Sequence, residues 1–218
     1  MSLDRQLQDA VLAEFAWEPS LTPAHIGVMA NNGIITLTGH VGTYMEKRAA
    51  EKAAARVKGV KAVVEELKVK LHSSMVRSDE DIARAAVDRL SWEVNIPKDS
   101  IKVKVEDGFV TLSGTVSWHF QQQAAERAVR GMFGVLGVFN EAIIKPRPDA
   151  LNIGNSIDRA LHRAWFDPKT ITVTAHDGRV KLTGSVKSPS DRNIAGATAW
   201  GAPGATSVVN DLVVVHSI

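Results

Sequence analysis

The residues that could carry chemistry in this 218-residue chain are its seven histidines and its acidic clusters. A metal or acid–base site needs such side chains at short spacing, as in the pair His-x-x-x-His. No two histidines have that spacing, and none has a glutamate placed as its partner. The histidines are His25, His40, His72, His119, His162, His176 and His216. Surface or turn positions explain them, and the sequence predicts no metal site and no cofactor.

The carboxylates have structural explanations as well. Asp79, Glu80 and Asp81 stand in the first turn of a predicted helix, where negative charge complements the helix dipole. Glu65 and Glu66 are expected to open a strand and to lie in water. The chain has no Cys, which excludes thiol nucleophiles and disulfides, and it has neither a Gly-x-Ser-x-Gly elbow nor a phosphate-binding loop. We therefore expect no catalytic residues and no enzymatic activity.

A threefold internal repeat organises the chain. The pattern Gly-x-(Ile/Val)-x-Leu-(Thr/Ser)-Gly-x-Val occupies residues 33–41, 108–116 and 178–186, at offsets of 75 and then 70 residues. Units of about 70 residues tile the sequence with little left over. The sequence therefore predicts three domains, at residues 1–72, 76–147 and 149–218.

Each unit has the same predicted elements. Leu7, Val11 and Phe15 recur at helical spacing, and residues 101–105 alternate apolar and polar side chains as a half-buried strand does. A second strand, an alanine-rich helix and a final strand follow. The fold class is α+β, with three tandem α-β-β-α-β modules, each a small three-stranded mixed sheet with two helices on one face.

Two sets of glycines have structural roles in this scheme. The first set completes Asn-Gly or Asp-Gly pairs, which favour tight hairpin turns. Its members are Gly33, Gly108 and Gly178. The second set falls on the inward side of the second strand, where we expect close approach of a helix or a bulge. Its members are Gly39, Gly114 and Gly184.

These motifs resemble those of the BON domain family, named for bacterial osmotically induced and nodulation proteins. The resemblance rests on the Asp-Gly turn, the Gly-x-Val-Thr-Leu-x-Gly-x-Val strand, the helix after it and a final Val-x-Asn-x-Leu-like strand. It covers roughly residues 3–71, 78–146 and 150–216. The first copy carries Glu65 and Glu66 at the step where the others keep an asparagine.

The family resemblance implies a non-enzymatic binding module that contacts phospholipid membranes or envelope proteins, often under osmotic or other stress. The alternative is a protein–protein scaffold without lipid affinity. Short linkers predict that the copies dock on one another or self-associate, which leaves a homo-oligomer open.

The charge distribution points away from nucleic acid. Residues 1–74 carry 9 basic and 8 acidic side chains, residues 75–148 carry 10 and 10, and residues 149–218 carry 7 and 6. No basic stripe is present to bind phosphates. One cationic cluster could touch anionic headgroups, but a solvated helix face is the preferred interpretation. Its members are Lys47, Arg48, Lys52, Arg56, Lys58 and Lys61.

Aromatic residues are the candidate contacts for a lipid or a protein partner. Trp17 and Trp92 occupy equivalent places near the end of the first helix of their units, about 200° from the buried stripe. Such a tryptophan can anchor at a membrane interface or fill a partner's pocket, or it can fold back as a lid under the next connection. Further candidates are Trp165 and Phe166, at the corresponding helix of the third unit, and Trp118, in the segment Trp118-His119-Phe120.

Hydropathy predicts a protein that does not span the membrane, because no apolar run approaches the roughly 18 residues needed. The first residues lack the apolar core of a signal peptide. We therefore expect a cytoplasmic location, or a periplasmic one if a leader has been removed.

Overall fold

The computed structural model describes residues 2–145, 153–163 and 170–215. They belong to two compact units, and the middle repeat contributes to both. The first unit comprises Met1–Arg89, Val103–Thr111 and Arg127–Phe139, and the second comprises Leu90–Lys102, Leu112–Glu126 and Asn140–Ile218.

The first repeat forms the predicted α-β-β-α-β module. Its elements are α1 (Leu3–Trp17), a 3-10 turn (Pro23–His25), β1 (Ile26–Asn31), β2 (Ile34–Val41), α2 (Tyr44–Arg56) and β3 (Ala62–Val69). Strand β2 is central, with β1 antiparallel and β3 parallel to it. The sheet is therefore mixed, as the sequence predicts.

The core of this module places both helices on the same face of the sheet. Val11 and Phe15 from α1 and Ala50 and Ala53 from α2 are at most 1% exposed and share one cluster with Leu37 of β2. The small alanine side chains let α2 lie close to the strands.

The middle repeat differs at its last strand. It contains a 3-10 turn (Ser73–Met75), α3 (Asp79–Trp92), β4 (Ile101–Glu106), β5 (Phe109–Val116), α4 (His119–Val129), β6 (Gly137–Asn140) and β7 (Ile143–Ile144). The sheet order is β4-β5-β6, and β7 pairs parallel to β5 further along. The predicted last strand is thus interrupted at residues 141–142, where the Asn140 side chain accepts a hydrogen bond from the Ala142 N–H at 3.3 Å.

The third repeat returns to three strands. Its described elements are α5 (Ile153–Leu161), β8 (Ile171–His176), β9 (Arg179–Val186), α6 (Pro189–Trp200) and β10 (Ser207–Val214). The order is β10-β9-β8, with β10 parallel and β8 antiparallel to β9. Ile157 of α5, Leu182 of β9 and Ala195 of α6 are fully buried in one cluster.

Backbone geometry confirms the three hairpin turns. Asn32, Asp107 and Asp177 have φ of 51°, 49° and 48°, and the glycine after each also has positive φ. Two consecutive residues with positive φ match the twist of the flanking strands.

The strand glycines are required because another part of the chain approaches them closely. A Cβ on Gly39, Gly114 or Gly184 would lie 2.0 to 2.1 Å from a backbone carbonyl oxygen, that of the residue just before the first strand of the hairpin. Their φ values of 105°, 130° and 116° also disfavour side chains. The expected close approach exists, but it is made by the neighbouring backbone and not by a helix.

Glu65 corrects a second expectation. It lies inside β3 and is half-buried, with its carboxylate 3.0 Å from Lys47 Nζ of α2 and accepting from the Leu67 N–H at 2.5 Å. In the middle repeat, Asn140 takes the equivalent place and its Nδ2 donates to the Gln122 carbonyl of α4 at 2.7 Å. We call this recurring link between the second helix and the last strand the helix–strand clasp. Glutamate cannot donate, so the first repeat supplies a lysine instead.

The clasp of the middle repeat predicts a measurable stability loss. Replacing Asn140→Ala leaves the Gln122 carbonyl and the Ala142 N–H without their side-chain partner. We expect the free energy of unfolding to fall by about 1–3 kcal/mol. Urea unfolding followed by far-ultraviolet circular dichroism measures it. The control is Gln123→Ala, on the exposed side of the same helix, which should change stability by less than about 0.5 kcal/mol. Equal losses in both variants would contradict the role of Asn140 in the clasp.

Candidate functional site

Two tryptophans project into solvent at equivalent helix ends. Trp17 is the last residue of α1 and Trp92 the last of α3, and each is 85% exposed. Neither ring folds back under the following connection, so the lid interpretation is wrong for both. Val94, two residues beyond Trp92, is 94% exposed and enlarges that apolar surface. Tryptophan is usually largely buried, which makes two such exposed rings notable.

An ion-pair clamp fixes the helix end that carries Trp17. Arg56, the last residue of α2, donates to Glu14 at 2.8 Å and to Glu18 at 2.9 Å. Glu18 follows Trp17 and caps α1. The hydrogen bond from Arg56, with a second from Ser20, holds the pKa of Glu18 below its usual value. The carboxylate is therefore charged at neutral pH, and the clamp joins the two helix ends beside Trp17.

The cationic cluster of the first repeat is partly neutralised within the molecule. Lys47 pairs with Glu65, Arg48 with Glu51, and Arg56 with Glu14 and Glu18. The other three members have no ion pair among the described residues. They are Lys52, Lys58 and Lys61. This surface therefore offers an anionic partner about half of the charge that the sequence indicates.

The third aromatic candidate lies at the start of α4. The Gln121 side-chain oxygen accepts from the backbone N–H groups of Ser117 and Trp118 at 2.9 and 3.1 Å, which fixes the turn. Trp118 is half-buried, and Phe120 is 48% exposed with its ring 6.4 Å from that of Trp118. This pair is less exposed than Trp17 or Trp92.

His119 and Trp200 form a contact that the sequence did not reveal. Their rings stack within the second compact unit, with centroids 3.7 Å apart and planes 11° apart. Trp200 ends α6, and the equivalent residues of the other repeats are Ala55 and Arg130, so the repeat gives no signal for an aromatic residue there.

The stacked histidine predicts a pH dependence of stability. Burial lowers the pKa of His119 below its ordinary value of 6.5. Well above pH 6.5 the ring is neutral in both the folded and the unfolded state. As pH falls, the unfolded chain binds the proton before the stacked ring does, so stability is lost on acidification. Between about pH 7.5 and about pH 5.5, the thermal midpoint of tryptophan emission should fall more in the wild type than in His119→Phe.

His176→Phe is the control for this measurement, because His176 lies in a hairpin with its side chain 91% exposed. On the same acidification, the thermal midpoint of His176→Phe should fall as much as that of the wild type. If His119→Phe does so too, the stack has no part in the acid sensitivity.

Two predicted contacts, Trp165 and Phe166, lie outside the described residues. Within the described residues, no three His, Asp or Glu side chains are grouped so that they could hold a metal ion. No helix in the described ranges has the length and apolar character to cross a membrane.

Three α-β-β-α-β modules in one chain, with exposed aromatic residues at helix ends, define a tandem-repeat protein of small α+β domains. The BON domain family model matches residues 3–70, 78–146 and 149–216, nearly the whole sequence. The chain belongs to the BON domain family.

Two bacterial proteins are similar in sequence to part of this chain. It is 28% identical over 142 residues to osmotically-inducible protein Y of Escherichia coli (strain K12), covering 63% of this chain and 71% of that protein. It is 30% identical over 142 residues to the 21 kDa hemolysin of Actinobacillus pleuropneumoniae, covering 63% and 73%. A solved structure of CdsD, a structural protein of the type III secretion system of Chlamydia trachomatis, aligns with a TM-score of 0.28 and 18% identity, covering 97% of this chain and 93% of that chain.

Proposed function

We propose that this BON protein is a non-enzymatic binding protein that attaches peripherally to phospholipid membrane surfaces in a stress-response setting. The observation that carries the proposal is the 85% exposure of both Trp17 and Trp92. An indole ring is favourable at the boundary between headgroups and acyl chains, since its body is apolar and its N–H remains hydrated.

Sequence position supports a shared role for the two rings. They stand at equivalent places in two diverged repeats, each at the last residue of a helix. Envelope proteins are the second kind of partner that the family suggests, and an exposed indole is also a frequent anchor in protein interfaces. The proposal holds for a membrane surface on the cytoplasmic or the periplasmic side, and the compartment stays a prediction.

Charge is expected to contribute modestly. Lysines near an anionic surface add about 1 kcal/mol each, and this attraction is screened by salt. With three of the six clustered cations engaged in ion pairs, we expect only a moderate preference for anionic lipid.

Co-sedimentation of the full chain with vesicles tests the proposal. Vesicles of phosphatidylcholine alone and of phosphatidylcholine with phosphatidylglycerol would be compared at low and moderate salt. We expect binding to both, stronger with the anionic lipid at low salt. Absence of binding by folded protein under all four conditions would contradict the lipid proposal.

A second candidate, a self-associating scaffold, is favoured by the sheet face of the middle repeat. Phe109 is 41% and Phe139 55% exposed, and their rings stack at 6.0 Å on the side away from the buried Val110. Exposed aromatic pairs of this kind are typical of protein contacts. Sedimentation velocity between about 1 and about 100 µM measures the mass. A rise in mass that Phe139→Ser removes supports the scaffold, and a monomer throughout contradicts self-association.

A further inference from the structure

A cavity of about 600 Å³ lies in the second compact unit, and neither Trp17 nor Trp92 is among its lining residues. The start of α4 forms one wall, and α6 with β10 forms the other. Its volume falls within the range of small-molecule sites, which are mostly apolar with a few placed polar groups.

Aromatic rings dominate the first wall. Trp118 and Phe120 present tilted faces with centroids 6.4 Å apart, and the stacked pair of His119 and Trp200 closes the side. The lining residues that the structure describes include no Asp, Glu, Lys or Arg. Because a charged ligand would find no countercharge here, the lining favours an uncharged one.

Amide side chains supply the polar groups. Gln123 and Asn193 line the cavity from opposite walls, are exposed, and make no hydrogen bond to another described residue. Each offers both a donor and an acceptor. A ligand with several hydroxyl groups can therefore be bound from both sides.

The floor of the cavity depends on a feature of the third repeat. Gly196 lies there, at the position that Glu51 and Glu126 occupy in the other repeats. A Cβ on Gly196 would lie 2.8 Å from Nδ2 of Asn210, so a larger side chain there would require the Asn210 side chain to shift. The third repeat thus has a buried residue without a side chain where the other repeats carry a glutamate.

We propose that this cavity binds an uncharged saccharide unit. Sugar rings have apolar C–H faces, which stack on Trp118 and Phe120, and equatorial hydroxyls, which bond to the amides of Gln123 and Asn193. Phosphorylated ligands are disfavoured by the absence of cations, and a purely apolar ligand would leave both amides unused. This site is separate from the proposed lipid contact.

Titration of the full chain with maltose, cellobiose and diacetylchitobiose tests the site, with tryptophan emission and saturation-transfer NMR as readouts. We expect saturable binding of at least one disaccharide, with Kd near or below about 10 mM. Ala197→Leu, at an exposed helical residue that lines the cavity, should weaken binding at least about tenfold, as should Gln123→Ala.

Ala55→Leu, at an exposed residue of α2 outside the cavity, is the matched control and should bind as the wild type does. All variants should co-sediment with vesicles like the wild type, which separates this proposal from the lipid contact. No saturable binding of any disaccharide overturns the site, and so does equal affinity in Ala197→Leu. Binding of N-acetyltryptophanamide without sugar binding overturns it in favour of a protein side chain.

Discussion

Gly184→Ala is expected to unfold the third repeat under conditions in which the wild type is stable. The new Cβ would stand 2.0 Å from the Thr170 carbonyl oxygen, and the residue has φ of 116°. Neither the strand pairing of β8 with β9 nor the backbone angle can accommodate it without a shift of the hairpin. We expect a loss of at least about 3 kcal/mol. Urea unfolding followed by tryptophan emission, with Trp200 in this repeat, measures the loss.

Gly154→Ala is the matched control in the same repeat. Its Cβ would meet Ala175 at 3.8 Å, an ordinary contact, and the residue lies in the first turn of α5. Alanine favours helix more than glycine does, so stability should be unchanged or slightly higher. A similar loss in both variants would show that the repeat is sensitive to any substitution and would remove the special role of the strand glycine.

The double variant Trp17→Ala/Trp92→Ala should lose most of its affinity for vesicles. Each indole that leaves water at a membrane interface contributes about 1–2 kcal/mol, estimated from the area buried. Removing both rings should therefore weaken binding about 100-fold, and each single variant about tenfold. Because both side chains are 85% exposed, neither change should disturb folding. Vesicle titration at fixed salt measures the affinities.

Leu12→Ala/Val87→Ala controls for loss of apolar surface in general. Leu12 lies in α1 and Val87 in α3, and they are 39% and 56% exposed. This control should bind vesicles within about threefold of the wild type. If this control loses as much affinity for vesicles as the double tryptophan variant, binding depends on the apolar surface of the helices in general and not on the two indole rings.

Periodic and turn-forming residues made most of the fold predictable. The Asp107-Gly108 pair specifies a hairpin through backbone angles that few other residues adopt, and the pattern of Val110 and Leu112 assigns the buried face of β5. These signals depend only on neighbouring residues, so they can be recognised without knowledge of the tertiary structure.

Features that depend on contacts between distant residues were not predictable in the same way. The interruption of the last strand at Asn140 and the engagement of Glu65 by Lys47 both require the second helix to lie over that strand. A sequence pattern shows only that residue 65 is charged, and charge alone suggests solvent.

The candidate contacts divide along the same line. The sequence identified Trp17 and Trp92 as candidate contacts because their position along the helix places them off the buried stripe. It did not show that their rings are exposed, since that depends on the path of the loop after each helix. The stack of His119 on Trp200 joins residues 81 positions apart and lies where the repeats differ, so no local pattern points to it.

Quenching by brominated lipid tests the membrane contact most directly. The variant Trp17→Phe/Trp92→Phe keeps an apolar aromatic ring at both positions, so it should still bind vesicles. Its emission comes from the remaining three tryptophans, Trp118, Trp165 and Trp200. We expect vesicles with bromine on the upper acyl chain to quench the wild-type emission clearly more than that of the variant. Equal fractional quenching of the two bound proteins would contradict insertion of Trp17 and Trp92 into the membrane surface.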